Sequence, residues 1–298
     1  MSLRLEMLQV ARLAPKLLGD STELVEKFFR SQQNDDGGFK DRAGRSDLYY
    51  TVFGMEGLRA LQAELPLAKT ENFLRSFGTG ENLDFVHLCC LARGAAGMEN
   101  FGRENFFSQD SRQKISGRIE AHRTKDGGYN QVAGSDFASV YGCFLALGAY
   151  QDLKLEMPEP LCLVQSLKFL ETDDGAWAND RNLKIGSTNA TAAAVAALRN
   201  LNMPIHQNVG AWLLARCHSE GGFLAMPNAP IPDLLSTATA LHALAGMQIP
   251  FESVKEKCLD FIDTLWMNEG GFHGYWSDAQ LDCEYTYYAL LALGHLSF

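Results

Sequence analysis

The sequence has no CxxC pair, no apolar run approaching the ~18 residues of a membrane span, no sustained two-residue alternation and no excess of basic charge. Each absence excludes something. Seven cysteines is an odd number, and all of them (Cys89, Cys90, Cys143, Cys162, Cys217, Cys258, Cys283) fall inside apolar helical segments, so reduced thiols in a cytoplasmic protein are expected. No transmembrane helix is expected. The opening Met1-Ser2-Leu3-Arg4-Leu5-Glu6 has no basic stretch followed by a continuous apolar run, so no signal peptide is expected. A net charge of −10 and a pI near 5.2 argue against non-specific binding to nucleic acid and against a polybasic membrane patch. Poor strand alternation leaves an all-α chain.

What is present is a repeat. Hydrophobic residues make up 46% of 298 positions, enough for a large core. Along the chain a Gly-Gly-aromatic turn, a short loop, a capping residue and an apolar helix return in the same order. The turns are Gly37-Gly38-Phe39, Gly127-Gly128-Tyr129, Gly175-Ala176-Trp177, Gly221-Gly222-Phe223 and Gly270-Gly271-Phe272. Glycine suits them because it tolerates positive φ. The capping residues are read as Asp47, Asp136, Ser187, Asp233 and Asp282, each eleven positions before a leucine. Successive turn glycines are 90, 48, 46 and 49 residues apart, so the first gap holds a degraded unit, placed at Asp84-Phe85-Val86-His87.

A period of 45 to 50 marks a repeat architecture. Asp20 is expected to cap a helix running to about Gln32, and second, more amphipathic helices are expected near 66–77, 104–124, 158–170, 206–218 and 251–267. The repeated helices carry Ala, Gly, Ser and Thr, as in Ser187-Thr188-Asn189-Ala190-Thr191-Ala192. Small residues suit helices crowded on both sides. The expected architecture is therefore one domain over 1–298: an N-terminal helix to about residue 20, then six helical hairpins over 21–298, about twelve helices closed into an α6/α6 toroid.

The Gln33-Asn34-Asp35-Asp36-Gly37-Gly38-Phe39 and Asp126-Gly127-Gly128-Tyr129 units resemble the repeats of protein prenyltransferase β subunits, which also occur in the terpenoid cyclase superfamily. The resemblance runs from about residue 20 to 298 and implies the toroid fold. It also implies an isoprenoid, as a prenyl diphosphate, bound in a central apolar cavity, and a helical-repeat partner subunit.

In that family zinc is held by an Asp-x-Cys-Tyr helix start and by His from an Asp-x-x-His-Thr start. Asp282-Cys283-Glu284-Tyr285 resembles the first, with Glu284 in the cysteine's place. Asp47-Leu48-Tyr49-Tyr50-Thr51 resembles the second, with Tyr50 in place of His. No family-type zinc is therefore expected; the alternative is zinc on Asp282, Glu284 and His87. The diphosphate-binding Arg-x-x-Lys pattern occurs at Arg181-Asn182-Leu183-Lys184.

Class II terpene cyclases protonate an alkene from an Asp-x-Asp-Asp-Thr helix start, and Asp282-Cys283-Glu284-Tyr285-Thr286 resembles it with Glu284 at the acid's place. The resemblance thus assigns chemistry to Asp282, Glu284 and Tyr285 and diphosphate binding to Arg181 and Lys184, while Tyr49, Tyr50 and Tyr288 are read from their residue type as lining the cavity and binding the ligand. Aromatic walls suit isoprenoid chains and carbocations. The plainer readings are an N-cap for Asp282, a solvated first-turn residue for Glu284 and core packing for the aromatics. Three functions follow as expectations: prenyl-transferase-like chemistry, a non-catalytic toroid that binds a lipid, peptide or partner, and acid catalysis by Glu284.

Overall fold

A computed structural model describes residues 2–298. The chain starts with α1 (Leu3–Ala11) and the single turn α2 (Pro15–Leu18). Six hairpins follow, each with an outer and then an inner helix. They are α3 (Thr22–Ser31) with α4 (Leu48–Ala60), α5 (Leu67–Arg75) with α6 (Phe85–Asn100), and α7 (Gln109–Glu120) with α8 (Val140–Asp152). The rest are α9 (Pro160–Lys168) with α10 (Thr188–Asn200), α11 (Asn208–Leu214) with α12 (Leu234–Gly246), and α13 (Glu252–Asp263) with α14 (Cys283–Leu296). Each inner helix packs on the next, and α14 returns to α4, so the inner ring is closed. The fold is an all-α toroid. Its only strand pairs among the described residues are two-residue ribbons in the loops before α4 and α12.

One hydrogen bond explains the repeat. Four residues after five of the six caps stands a side chain that accepts from the turn aromatic's N–H. Thr51 accepts from Phe39, Thr191 from Trp177, Thr237 from Phe223 and Thr286 from Phe272, at 2.9 to 3.3 Å. Cys143 Sγ takes the same part for Tyr129 at 3.4 Å. A buried backbone donor is thereby satisfied in every unit that has the turn.

The turn glycines set the spacing between units. A Cβ on Gly221 (φ +92°) would lie 1.8 Å from the Lys257 carbonyl oxygen of α13, and one on Gly270 (φ +90°) would lie 2.1 Å from that of Leu24 on α3. Each turn thus rests against the next unit's outer helix, and the last rests against the first.

Two capping expectations are corrected. Asp136 is exposed and pairs with Lys125; Ser139 caps α8, its Oγ accepting from Gly142 N–H at 3.0 Å. The helix therefore starts at Val140, which restores the fourteen-residue spacing from Tyr129 to Cys143 that three other units share. Asp20 lies in a 3₁₀ turn, and α3 begins after Ser21 without a side-chain cap. The expected single N-terminal helix breaks before Pro15, which sits at the first position of α2.

The N-terminal helix has a role that its sequence does not announce. It lies across the C-terminal ends of the inner ring and closes that end of the barrel. Arg4 donates to Glu56 at 3.0 Å and to Asp152 at 3.1 Å, and its side chain is 6% exposed. The Asn100 amide, with its oxygen turned to Arg4, accepts at 3.0 and 2.9 Å. Glu6 accepts from Arg199 of α10 at 2.8 Å.

Candidate functional site

The inner helices present three layers to the bore, counted from each cap. Two residues in stand Tyr49, Tyr141, Asn189, Leu235 and Glu284. Six residues in stand Phe53, Cys90, Leu145, Ala193, Thr239 and Tyr288. Nine residues in stand Arg93, Gly148, Ala196, His242 and Leu291. Steps of four and three keep one face of a 3.6-residue helix toward the centre. Between these layers and the plug residues Leu3 and Met7 lies a cavity of about 300 Å³, continued by a smaller lobe of about 80 Å³ that reaches Arg4 and Asp152. Hollows of about 360 and 460 Å³ flank the far side of α1, but few aromatic side chains line them. The bore has the enclosed aromatic wall.

Its upper layer holds one carboxyl. Tyr49 Oη donates to Glu284 Oε1 at 2.6 Å. Burial is the main influence on Glu284; with Asp282 nearby it outweighs the Tyr49 hydrogen bond and Arg42, and the carboxyl is pushed up to about 7. At neutral pH the group is therefore shared between acid and carboxylate. Tyr49 packs edge-on against Tyr50 and Phe53, and Phe53 leans on Tyr288. Burial holds the Tyr49, Tyr141 and Tyr288 phenols above their usual range, so all three stay protonated.

The rim around this carboxyl is locked by ion pairs. Arg42 Nε donates to Asp282 at 2.8 Å and Nη2 to Asp278 at 2.8 Å, with the guanidinium over the Tyr285 ring. Asp282 also caps α14, accepting from Tyr285 N–H at 2.8 Å. It does not bond Glu284; the partner of Glu284 is Tyr49. Tyr285 packs beneath Gly274, where a Cβ would lie 2.4 Å from the ring, and Tyr50 stays at the rim beside Arg42 and Asp282. Neither lines the cavity.

His87 is held between the caps of α6 and α4, 2.9 Å from Asp84 and 3.1 Å from Asp47. The Asp47 hydrogen bond is the largest influence, and the imidazole is pushed up to about 9. A histidine raised in the folded state contributes stability that is complete below about 6.5 and is lost as pH rises through 9. After allowance for its partial exposure this is on the order of 1–2 kcal/mol. Thermal melts from pH 6 to 10 should show the decline, and His87→Gln should remove most of it; an equal decline in the variant would assign it elsewhere.

Arg181 and Lys184 lie in an exposed loop. Arg181 stacks 3.8 Å above the exposed Phe137 ring, and the nearest carboxylate to Lys184 is Asp173 at 3.9 Å. Neither lines the bore. Of the residues expected from sequence, the structure brings Glu284, Tyr49 and Tyr288 together in the cavity and leaves Asp282, Tyr285 and Tyr50 on the rim.

The prenyltransferase alpha-alpha toroid domain matches residues 5–89 and 189–297 of this sequence. The chain belongs to that family. Solved structures with the same toroid include the type II terpene cyclase MstE from Scytonema in complex with its substrate, geranylgeranyl dihydroxybenzoate. It is 16% identical over 96% of this chain and 98% of that one, with a TM-score of 0.62. The protein geranylgeranyltransferase-I of Candida albicans, complexed with GGPP, is 14% identical over 90% and 89%, TM-score 0.65. An alpha-1,6-mannanase of Salegentibacter is 10% identical over 94% and 98%, TM-score 0.64. At such identities the likeness extends to the fold alone, and the mannanase shows that prenyl chemistry does not follow from a toroid. No curated protein matches the sequence.

At the positions where the sequence resemblance implies zinc ligands, the side chains are already engaged within the chain. Cys283 is fully buried and faces away from the bore. Asp282 is occupied by Arg42, Glu284 by Tyr49, and both His87 nitrogens by carboxylates. No cluster of three or more His, Cys, Asp or Glu side chains suited to a metal ion occurs among the described residues. A zinc site needs such donors free and convergent.

Sequence reasoning missed Arg93, Asn189 and His242. Aligning the units on the caps and reading the columns two, six and nine residues on would have found them.

Proposed function

We propose that the toroid binds an isoprenoid-type chain in its bore and that Glu284 is the proton donor to that chain. The observation that carries this is a single carboxyl, raised to about 7 by burial, set among Tyr49, Tyr141, Tyr288 and Phe53. Two structural neighbours are complexes with prenyl-chain compounds, which supports the ligand class. Transfer from a diphosphate has less support, because Arg181 and Lys184 lie outside the bore and Arg42 is committed to two aspartates.

The chemistry is acid-initiated isomerisation or cyclisation. The Glu284 O–H bond breaks, and its proton forms a C–H bond with the π pair of an alkene. A carbocation is left on the neighbouring carbon, and the carboxylate keeps the electrons of the O–H bond. The aromatic faces stabilise the cation. A second alkene closes the ring, and loss of a proton to the carboxylate restores the acid. No metal enters these steps.

The test is incubation of the protein with linear isoprenoid alcohols and acids in the presence of EDTA, with product analysis by gas chromatography and mass spectrometry. Cyclised or isomerised product is expected, and Glu284→Gln should lower kcat about 10²–10⁴-fold. Activity should hold below pH 7 and fall above it, because the donor is the protonated form. Full turnover in the Gln variant would overturn the assignment. Tight binding without turnover in the wild type would leave a toroid that only holds its ligand.

A further inference from the structure

We propose that the closed end of the bore is a carboxylate-binding site, in which Arg93 receives the acid head group of an isoprenoid-type ligand. This rests on the bore being the isoprenoid site and adds the ligand's chemical class and direction.

Arg93 sits nine residues into α6 and lines both lobes of the cavity. Its guanidinium lies 5.4 Å from the Phe53 ring centroid. Its Nε and Nη2 are buried and make no hydrogen bond of good geometry. Among the described arginines no other leaves two buried nitrogens without a partner. Arg4, at the same end, is the contrast: Glu56, Asp152 and Asn100 all accept from it. A buried guanidinium without an acceptor is costly, and a planar fork of donors matches a carboxylate. The Tyr287 phenol, also buried, lies against Arg93, but the contact falls short of hydrogen-bond geometry and leaves both groups without a full partner.

The surrounding charges favour a single negative charge over several. Glu56 and Asp152 are the carboxylates whose charge acts on Arg93; Asp152 lines the smaller lobe with it, one Glu56 oxygen is buried without a hydrogen bond, and His242, held neutral by burial, faces the same layer. Asp152, pushed up to about 6 mainly by burial, takes a proton readily when another anion arrives. A diphosphate would set two or more charges against these carboxylates with one free guanidinium to meet them. A monocarboxylate sets one.

Direction follows from the layers. Glu284 is in the layer two residues from its cap and Arg93 in the layer nine from its own, about 10 Å apart along the bore at 1.5 Å per residue. A carboxylate on Arg93 therefore puts the far, alkene end of a short isoprenoid chain beside Glu284. The cavity volume, at the low end of ligand pockets, suits a short chain.

The experiment is calorimetric titration at pH 6 of the wild type with geranic acid, geraniol and geranyl diphosphate, repeated with Arg93→Met and Arg93→Lys. Geranic acid should bind at least tenfold more tightly than geraniol. Arg93→Met should erase that preference while leaving geraniol affinity within about threefold, and Arg93→Lys should keep part of it. If Arg93→Met does not fold, the wild-type ratio and the Lys variant still decide. Equal affinity for acid and alcohol, or an acid preference that both variants retain, would overturn the carboxylate site and leave the isoprenoid bore intact. Tightest binding by the diphosphate would overturn it in the same way. No binding of any of the three would remove the bore reading and this one together.

Discussion

Arg4→Ala is expected to lower the unfolding free energy by about 3–5 kcal/mol, the usual cost of removing one partner from a buried charge cluster. The reason is the company Arg4 keeps. Its guanidinium is 6% exposed and bridges Glu56 of α4 to Asp152 of α8. Alanine leaves two carboxylates inside the closed end with no hydrogen-bonded cation. Part of the loss should be recovered in acid. Asp152 has a folded-state value near 6, raised by burial, and removing Arg4 raises it further, so protonation relieves the repulsion below that pH. Urea unfolding at pH 5 and pH 8 checks both statements: a large loss at pH 8 and a smaller one at pH 5. A loss under 1 kcal/mol at pH 8 would mean that α1 is not held as the plug of the barrel.

Gly270→Ala should cost at least about 3 kcal/mol, well above the ordinary penalty of placing alanine at positive φ. Its Cβ would fall 2.1 Å from the Leu24 carbonyl oxygen and 2.4 Å from the carbonyl carbon, both backbone atoms of α3. Neither can move without shifting the first outer helix away from the last turn. Gly44 and Gly134 are the controls, with φ of +81° and +77° and nothing within 4 Å of where a methyl group would stand. Alanine there should cost about 1 kcal/mol. Chemical denaturation of the three variants separates strain from steric closure. Equal losses would show that the ring is not sealed between its last and first units.

The architecture was legible because the repeat is written in chemistry that a turn and a cap require. Gly37, Gly127, Gly175, Gly221 and Gly270 all have positive φ, and Asp47, Asp84, Ser187, Asp233 and Asp282 all cap inner helices through their side chains. The third unit misled because Asp136 and Ser139 are both good caps three residues apart, and the leucine eleven after Asp136 agreed with the wrong one. The threonine column would have decided it, since Cys143 stands four after Ser139.

The site was legible only in part. Glu284 and Tyr49 belong to motifs at a helix start, so local sequence points to them. Arg181-x-x-Lys184 has the spacing of an anion cradle, but spacing does not fix direction, and Phe137 takes the guanidinium instead. Arg93 stands in mid-helix within an ordinary apolar run. Its surroundings come from distant segments: Glu56 of α4 gives one oxygen to Arg4 of α1, and its other oxygen makes no hydrogen bond to Arg93. Contacts between residues so distant along the chain leave no local trace.

The central claim is that the bore holds an isoprenoid ligand with its reactive end at Glu284. A crystal structure of Glu284→Gln grown with geranic acid tests it most directly. The account predicts density for the chain between Tyr49, Tyr141 and Tyr288, one end within hydrogen-bond distance of Arg93 and the other beside Gln at position 284. A bore filled by rearranged side chains, with the ligand outside the ring or not bound, would contradict it.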